Sequence, residues 1–327
     1  MPERMTTEEG RERARAVLAG AAACVPMHEL QERDWPEALA ETAVIVTEEM
    51  LAPQAIALYQ QCKRQRGESG LSPLIVTRAG YDDLLLREWL APYPYAAAAL
   101  AAARAAYDTL TAEQFFASRR EKLDYDPASM IDEALDDLGR AAGCDPMSIL
   151  HRMRIGDIAA ISEGEGFDPA DLLPDDVAAA HAVGLAEREA LREMARRRPG
   201  PQLMILQQPI RSFDEASALA EIDDGPKRLL LLSATPAEAL LVLGFRGPAP
   251  AAHARVWEHW RAALGAEPFL LDGGSLSGVV ARPVATREAL VRFATEVVLY
   301  DPDALAEGPL ELAGLLVRNT SIDFWWD

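Results

Sequence analysis

Apolar runs and helical stripes alternate along the first part of the chain and predict both strands and helices. Residues 44–46 and 74–76 are short β-branched and aliphatic runs, which are typical of buried strands. Pro53 predicts a helix that begins near it and ends before Gly67. This strand–helix–strand order favours a β-α-β unit, in which the two strands usually pair in parallel.

The next stretch, from Tyr81 to about Arg198, has a helical pattern almost throughout. It contains three Asp-Pro pairs, a helix-entry signal in which Asp caps the helix and Pro is its first residue. These pairs are Asp126-Pro127, Asp145-Pro146 and Asp168-Pro169. The helical pattern stops at Pro199-Gly200-Pro201, which predicts a boundary between two domains.

Beyond this break, short apolar runs alternate again with amphipathic helices. Residues 203–206 and 229–232 are continuous apolar runs and predict buried strands. Pro250 predicts a helix that ends at Gly265 and has one apolar face. That face carries Val256, Trp257, Trp260 and Leu264.

The remaining pattern predicts a hairpin, two helices and a last strand. The sequence Asp272-Gly273-Gly274-Ser275 separates two apolar runs and predicts the hairpin, because glycine tolerates the positive φ angles of a tight turn. Thr286 precedes a helix with an apolar stripe, and Pro309 begins another. Residues 321–326 predict the final strand.

Together these elements predict an α+β fold in two parts. Residues 1–200 are expected to form a helix-rich, acidic N-terminal region with strands near 43–47 and 74–77 and the β-α-β unit. Residues 201–327 are expected to form a mixed α+β C-terminal domain with the hairpin and the terminal strand.

Composition and charge narrow the classes of function. Half of the 327 residues are hydrophobic, so the chain has enough apolar side chains for a sizeable core. The net charge is −20, and residues 121–193 contribute −12 of it, with 18 acidic against 6 basic side chains. Such a charge repels nucleic-acid phosphates and anionic lipids and favours basic partners. We therefore expect a basic protein partner and no nucleic acid.

The cysteines and the apolar stretches indicate a protein of a reducing compartment. Cys24, Cys62 and Cys144 are odd in number and lack paired spacing, which argues against disulfides and zinc sites. Residues 17–25 resemble the apolar segment of a signal peptide, but acidic residues precede them. Residues 96–106 are too few to cross a membrane and include a charged side chain. We expect a cytoplasmic protein that does not bind membranes.

Sequence motifs for catalysis and metal binding are absent or mismatched. The chain has no phosphate-binding loop, no His-Glu-x-x-His and no Cys-x-x-Cys. Residues 274–278 resemble a nucleophile elbow but have Leu276 where the serine would be. His253 and His259 are six residues apart and therefore lie on different faces of a helix. Four aspartates lack calcium-loop spacing, namely Asp168, Asp171, Asp175 and Asp176. We predict no metal, no cofactor and no catalytic residue.

The aromatic and acidic residues near the C-terminus are the candidate binding site. Paired carboxylates beside aromatic rings suit ligand binding or acid–base chemistry. The candidates are Trp257, Trp260, Tyr300, Asp301, Asp303, Trp325, Trp326 and Asp327. In the structural alternative, Asp303 caps a helix and the tryptophans belong to the core. Because neighbours on a strand face opposite ways, only one of Trp325 and Trp326 can enter the same core.

An ordered series of short motifs resembles one bacterial family. In this sequence the series is Trp260, Gly265-Ala266-Glu267, Val280-Ala281-Arg282-Pro283, Thr286-Arg287-Glu288-Ala289, Tyr300-Asp301-Pro302-Asp303 and Phe324-Trp325-Trp326-Asp327. Together the motifs resemble the family called domain of unknown function 4253, over about residues 228–327, with a fainter similarity near 70–76. The chain departs from the family at Asp301, where a cysteine is usual, and around 244–247, where an asparagine-containing turn is usual. The resemblance implies ancestry but no activity.

Two functions are therefore compatible with the sequence. The better-supported interpretation is a bacterial cytosolic interaction module, immunity-like or sequestering a basic partner such as a toxin domain, because the acidity is concentrated in one block. The alternative is an enzyme or small-ligand binder that uses a cleft near the C-terminal tryptophans and aspartates.

Overall fold

Contacts within the chain divide it into two compact units. The computed structural model describes residues 44–47, 49–83, 94–142, 145–152, 225–243, 247–282, 284–306, 308–318 and 321–326, with Glu9, Glu12, Arg13, Ala16, Met27 and His28. Unit 1 comprises Met1–Ser118, Asp214–Arg282 and Ser321–Asp327, and unit 2 comprises Arg119–Phe213 and Pro283–Thr320. The predicted boundary at residues 199–201 lies outside the described residues and stays a prediction, as does the predicted strand at 203–206.

The described elements bear out the predicted mixture of helices and strands. The helices are Ala52–Arg64 (α1), Arg66–Ser69 (α2), Arg78–Asp83 (α3), Pro94–Thr109 (α4), Ala112–Arg120 (α5), Pro127–Ala142 (α6), Pro146–Arg152 (α7), Pro236–Leu243 (α8), Pro250–Leu264 (α9), Arg287–Tyr300 (α10) and Pro309–Arg318 (α11), with a 3₁₀ helix at Pro302–Leu305. The strands are Met27–His28 (β1), Val44–Thr47 (β2), Ser72–Thr77 (β3), Lys227–Leu232 (β4), Glu267–Asp272 (β5), Ser275–Val279 (β6) and Ser321–Trp325 (β7). The α+β fold class is confirmed.

One sheet organises unit 1. Its described strands lie in the order β1-β2-β4-β3-β5-β6-β7. Strands β3 and β5 pair in parallel, and the other neighbours are antiparallel. Strand β4 ends in four leucines, at residues 229–232, that are buried on both faces, as expected for a central strand.

The predicted β-α-β unit is present with one correction. Strands β2 and β3 both pair antiparallel with β4, so they run in the same direction but are separated by it. The two strands therefore do not pair with each other. The sequence around α1 does not indicate that a third strand separates the two, because β4 begins at Lys227, 150 residues after the end of β3.

Helices cover both faces of the sheet. On one face, α1 contributes Ala55, Leu58, Tyr59 and Cys62 to an apolar core that includes side chains of β3, β4 and β5. Burial raises the pKa of the Cys62 thiol to about 12, which keeps it protonated and unreactive. On the other face, α9 packs its tryptophans against β6 and β7. Since burial alternates along β7, its residues belong in turn to the two faces.

The predicted turn and helix ends are confirmed. Strands β5 and β6 form a hairpin whose turn residues Gly273 and Gly274 have φ angles of 44° and 96°. Both angles are positive, as a two-residue turn of this type requires. Helix α9 begins at Pro250 and is followed by Gly265 in the left-handed conformation.

Unit 2 is described as a group of packed helices. Helix α10 buries the predicted stripe, which comprises Leu290, Phe293, Ala294, Val297 and Val298. Thr286 caps this helix, since its hydroxyl accepts a hydrogen bond from the Ala289 amide at 3.2 Å. Helix α6 begins at Pro127, and the Asp126 carboxylate accepts from the Ala128 amide at 3.2 Å. In the part of the chain that the structure describes, no helix is both long and apolar enough to cross a membrane.

Candidate functional site

Four aromatic side chains of unit 1, here called the aromatic cluster, lie where α9 meets the last strand. They are Trp257, Trp260, Phe324 and Trp326. The Phe324 ring stacks on Trp260 at 5.6 Å and on Trp326 at 5.8 Å between ring centroids. Trp257 meets Trp260 edge-on at 5.5 Å. The cluster therefore joins the helix and the strand by ring contacts that favour offset and edge-on geometry.

Two of these tryptophans, both predicted binding residues, belong to the core. Trp257 and Trp260 are 0% exposed. A Cβ at Gly278 would lie 2.0 Å from the Trp257 ring, so β6 has a glycine where the indole needs the space. Neither indole has surface with which to contact a ligand in the folded protein.

The last strand separates its two tryptophans as the alternation of a strand requires. Trp325 is 54% exposed, whereas Trp326 is partly buried and meets the His253 ring of α9 edge-on at 5.3 Å. The Trp326 amide donates to the Gly274 carbonyl at 3.0 Å, which ties the residue to the hairpin turn. The tryptophan that packs on α9 is therefore Trp326, and the outward one is Trp325. Phe324 is buried between the rings of Trp260 and Trp326.

Trp325 shares its face of the sheet with two polar side chains. Ser277 of β6 lies opposite Asp323 of β7, two residues before Trp325. Asp323 is exposed as a whole residue, yet dense packing around its carboxyl raises the pKa above the ordinary value, and a hydrogen bond from Ser277 offsets part of this rise. An exposed indole beside such a carboxyl is one part of the predicted C-terminal site that remains accessible.

The other predicted site residues belong to unit 2 or lie outside the described residues. Tyr300 is 0% exposed at the end of α10. Asp301 is 3% exposed and accepts a hydrogen bond from the Asp303 amide at 3.1 Å, so Asp301 caps the 3₁₀ helix. The sequence assigned the cap to Asp303, which is instead exposed. Asp327 lies outside the described residues.

A surface hollow in unit 2 is lined in part by Asp303, one of the predicted binding residues. It has a volume of about 540 Å³ and is lined by Asp124, Tyr125, Met130, Pro302, Asp303, Leu305 and Ala306. Met130 is 39% exposed and offers apolar surface at the hollow. No ion pair with Asp124 or Asp303 is formed by the residues that the structure describes.

Two carboxylates on α6 differ from Asp124 and Asp303, because they have a described ion-pair partner. Arg287 of α10 contacts Asp132 and Asp136, each at 2.7 Å. Hydrogen bonding from Arg287 lowers the pKa of the Asp136 carboxyl. The hollow therefore carries carboxylates without a described counter-charge, next to a helix on which two others are paired.

The sequence contained one overlooked signal for the hollow. The buried stripe of α6 includes Ile131, Leu135 and Leu138, and Met130 precedes the first of them. A large apolar residue that falls outside the stripe of its own helix is a candidate for a surface contact. Tyr125, in the turn before α6, carried no comparable signal.

Other candidates from the sequence have structural roles or stay untested. Residues 274–278 form the hairpin turn and β6, so they are not a nucleophile elbow. Asp168, Asp171, Asp175 and Asp176 lie outside the described residues. Among the residues with described positions, no three His, Cys, Asp or Glu side chains are placed to hold a metal ion.

The resemblance of the C-terminal motifs to a known family is tested by comparison with protein families. Residues 228–327 match the family described as domain of unknown function, DUF4253. The DUF4253 region includes the whole aromatic cluster and the segment from Tyr300 to Asp303. It excludes Asp124, Tyr125 and Met130, so the hollow is lined by residues from both inside and outside it. Neither the characterised proteins nor the solved structures include a significant match to this chain.

Proposed function

We propose that the protein is a cytoplasmic protein-interaction module of a bacterium that binds and sequesters a basic protein partner, as an immunity protein does. The observation that carries this proposal is the hollow in unit 2. Its two carboxylates, Asp124 and Asp303, have no ion-pair partner within the described residues, and its rim exposes Met130. This combination suits a protein contact, because interfaces place apolar anchors inside a charged rim.

The chemistry of the hollow fits a long basic side chain. Asp124 and Asp303 would receive the charged head of an arginine or lysine, and arginine offers the donor geometry that carboxylates match best. Met130 and Leu305 would contact its methylene groups, since such side chains bury their apolar stems. The Tyr125 ring adds a surface on which a guanidinium stacks.

Net charge supports the same class of partner. The chain has a net charge of −20, and residues 121–193 contribute −12 of it. Three of the residues that line the hollow belong to this acidic block. A field of this sign accelerates encounter with a basic protein and weakens as salt is added.

The test begins with a partner purified together with the protein from its native host and identified by mass spectrometry. Affinity for that partner is then measured with Asp124→Asn plus Asp303→Asn. We expect the double variant to bind at least about 10-fold more weakly, since each lost charge-assisted hydrogen bond is worth about 1.5–3 kcal/mol. Affinity should also fall steeply between low and high salt.

Asp108→Asn in α4 is the matched control. Asp108 is exposed and is not among the residues that line the hollow, so the change removes one negative charge and leaves the lining intact. A single Asp303→Asn variant gives the corresponding one-charge comparison. If Asp108→Asn weakens binding as much as Asp303→Asn, general charge explains the affinity and the hollow does not. Affinity that is independent of salt would also contradict the proposal.

A second candidate function, a small-ligand or enzyme site, rests on the outer face of β7. The observation in its favour is the 54% exposed Trp325 on the same face as Asp323, whose carboxyl has a raised pKa. A carboxyl of this kind suits proton transfer. Trp325→Ala should abolish binding of any ligand at this face without unfolding the protein. Unchanged ligand binding in Trp325→Ala would remove this candidate.

A further inference from the structure

Three cations share one carboxylate at the start of β5. We call this group the Glu267 cluster, and its members are Lys63 of α1, Arg66 of α2, Arg261 of α9 and Glu267. Arg66 binds the carboxylate with both terminal nitrogens, at 3.0 Å and 3.2 Å. The Arg261 Nε lies 3.2 Å from Oε1, and the Lys63 Nζ lies 3.5 Å from Oε2. Every member belongs to unit 1.

The cluster has more positive charge than its structural task requires. One arginine bound through two nitrogens already neutralises the charge of a carboxylate. Two further cations leave the group with a net charge of +2, in a chain whose net charge is −20. Like charges gathered around a side chain that is 11% exposed repel one another, and they are stabilised when a further anion joins them.

Helix ends account for part of this arrangement. Lys63 lies in the last turn of α1 and Arg261 in the last turn of α9, where the helix dipole favours cations. The helix dipole favours a cation near each helix end, but it does not explain why these cations converge on one carboxylate. The convergence comes from the fold, which brings residues 63–66 beside residues 261–267.

Donors of the cluster also point beyond Glu267. The Arg261 atom described nearest to the carboxylate is Nε, and within the described residues its two terminal nitrogens donate no hydrogen bond. The Arg261 side chain is 39% exposed, so the cluster reaches the protein surface at this residue. Arg282 donates to the backbone carbonyls of Arg261 and Ala262, at 3.2 Å and 2.5 Å, which adds a second exposed guanidinium at this helix end.

We propose that the Glu267 cluster is a binding site for a phosphate group. Arginine forks match the geometry of phosphate oxygens, and the terminal nitrogens of Arg261 are suitably placed donors. Lys63 supplies a mobile point charge, and Glu267 holds the arginines in position. The phosphate comes either as the free ion or as the monoester of a small molecule. This site is independent of the hollow in unit 2.

The test is a titration of the full chain with inorganic phosphate and, separately, with phenyl phosphate, at constant ionic strength. Calorimetry and the shift of the melting temperature give the affinity. We expect saturable binding that Arg261→Gln weakens at least about 10-fold, because the variant removes the free terminal donors. Glu267→Gln keeps a side chain of the same shape that still accepts from the arginines, so it should bind phosphate more tightly than the wild-type protein, since the competing carboxylate charge is gone; weaker binding would contradict the proposal. Tighter binding of phenyl phosphate than of phosphate assigns the site to a monoester, and the reverse order assigns it to the free ion.

The control removes the same charge elsewhere. Arg292 is an exposed residue of α10 and is not a member of the cluster, so Arg292→Gln changes the net charge equally and leaves the cluster residues intact. Arg261 is partly exposed, and its replacement is expected to leave the protein folded, which the melting temperature without phosphate verifies. Three further results would overturn the proposal: no saturable binding, equal weakening by Arg292→Gln, or equal affinity for acetate.

Discussion

The aromatic cluster of unit 1 and the hollow of unit 2 contain residues that the sequence had grouped as one binding site. In the aromatic cluster, Trp257 and Trp260 are completely buried and contact other rings. In the hollow, Asp303 is exposed beside Met130, and its carboxylate has no described ion pair. The large, rare side chains Trp257 and Trp260 therefore belong to the core. The candidate binding surface is identified instead by exposed carboxylates that have no described counter-charge.

The largest effect that tests this comparison is the loss of a core indole. Trp257→Ala should lower the free energy of unfolding by about 3–5 kcal/mol, because it leaves a cavity between α9 and β6. Trp325→Ala should lower it by clearly less, about 1–2 kcal/mol, because that side chain is 54% exposed. Urea unfolding followed by far-ultraviolet circular dichroism gives both values. Equal losses in the two variants would contradict the division of the tryptophans between core and surface.

A middle-sized effect concerns the carboxylate of Glu267. Burial raises its pKa, but the hydrogen bonds from Arg66 and the charges of Lys63, Arg66 and Arg261 more than offset this and lower the pKa below its ordinary value. The ionised form therefore stabilises the fold above the unfolded pKa of about 4.3, and this stability is lost as the pH falls through the lower folded pKa. Glu267→Gln should cost about 1–3 kcal/mol at pH 7 and much less near pH 3.

Chemical denaturation at several pH values checks the Glu267 prediction. The difference between wild type and Glu267→Gln should shrink as the solution is acidified. A difference that stays constant from pH 7 to pH 3 would mean that the carboxylate charge contributes nothing to the fold.

A smaller effect with the opposite sign is expected at Asp323. Its folded pKa is raised, so the ionised form is disfavoured in the native state above the unfolded pKa of about 3.9. Asp323→Asn should therefore increase stability at pH 7, by less than about 1 kcal/mol because solvent screens an exposed residue. The gain should vanish as the pH falls through the raised pKa to below about 3.9. A loss of stability at pH 7 would indicate that the carboxylate makes a favourable contact.

The smallest effect on stability is expected at the hollow. Asp124→Asn plus Asp303→Asn should change the free energy of unfolding by less than about 0.5 kcal/mol, as exposed substitutions usually do. Differential scanning calorimetry would detect a larger change. Loss of partner affinity with unchanged stability would sharpen the contrast with Trp257, whereas a clear loss of stability would assign these carboxylates to the fold.

Local structure followed from the sequence because it depends on neighbouring residues. The two glycines of the hairpin turn, the threonine cap of α10 and the apolar face of α9 act within a few residues of themselves. The position of β4 between β2 and β3 depended on partners far apart in the chain, which no local pattern contains. The Glu267 cluster and the hollow have the same origin, since each joins segments more than 150 residues apart.

The place of β4 in the sheet also has a consequence for how the protein is made. Strands β2 and β3 both pair with β4, and 150 residues separate Thr77 from Lys227. At about 5–20 residues per second, a ribosome needs about 8–30 s to synthesise that interval. During this time, the two earlier strands have emerged without the neighbour that satisfies their backbone groups. Nascent chains of this protein are therefore expected to need shielding by a chaperone until β4 appears, and slower translation should lower the folded yield.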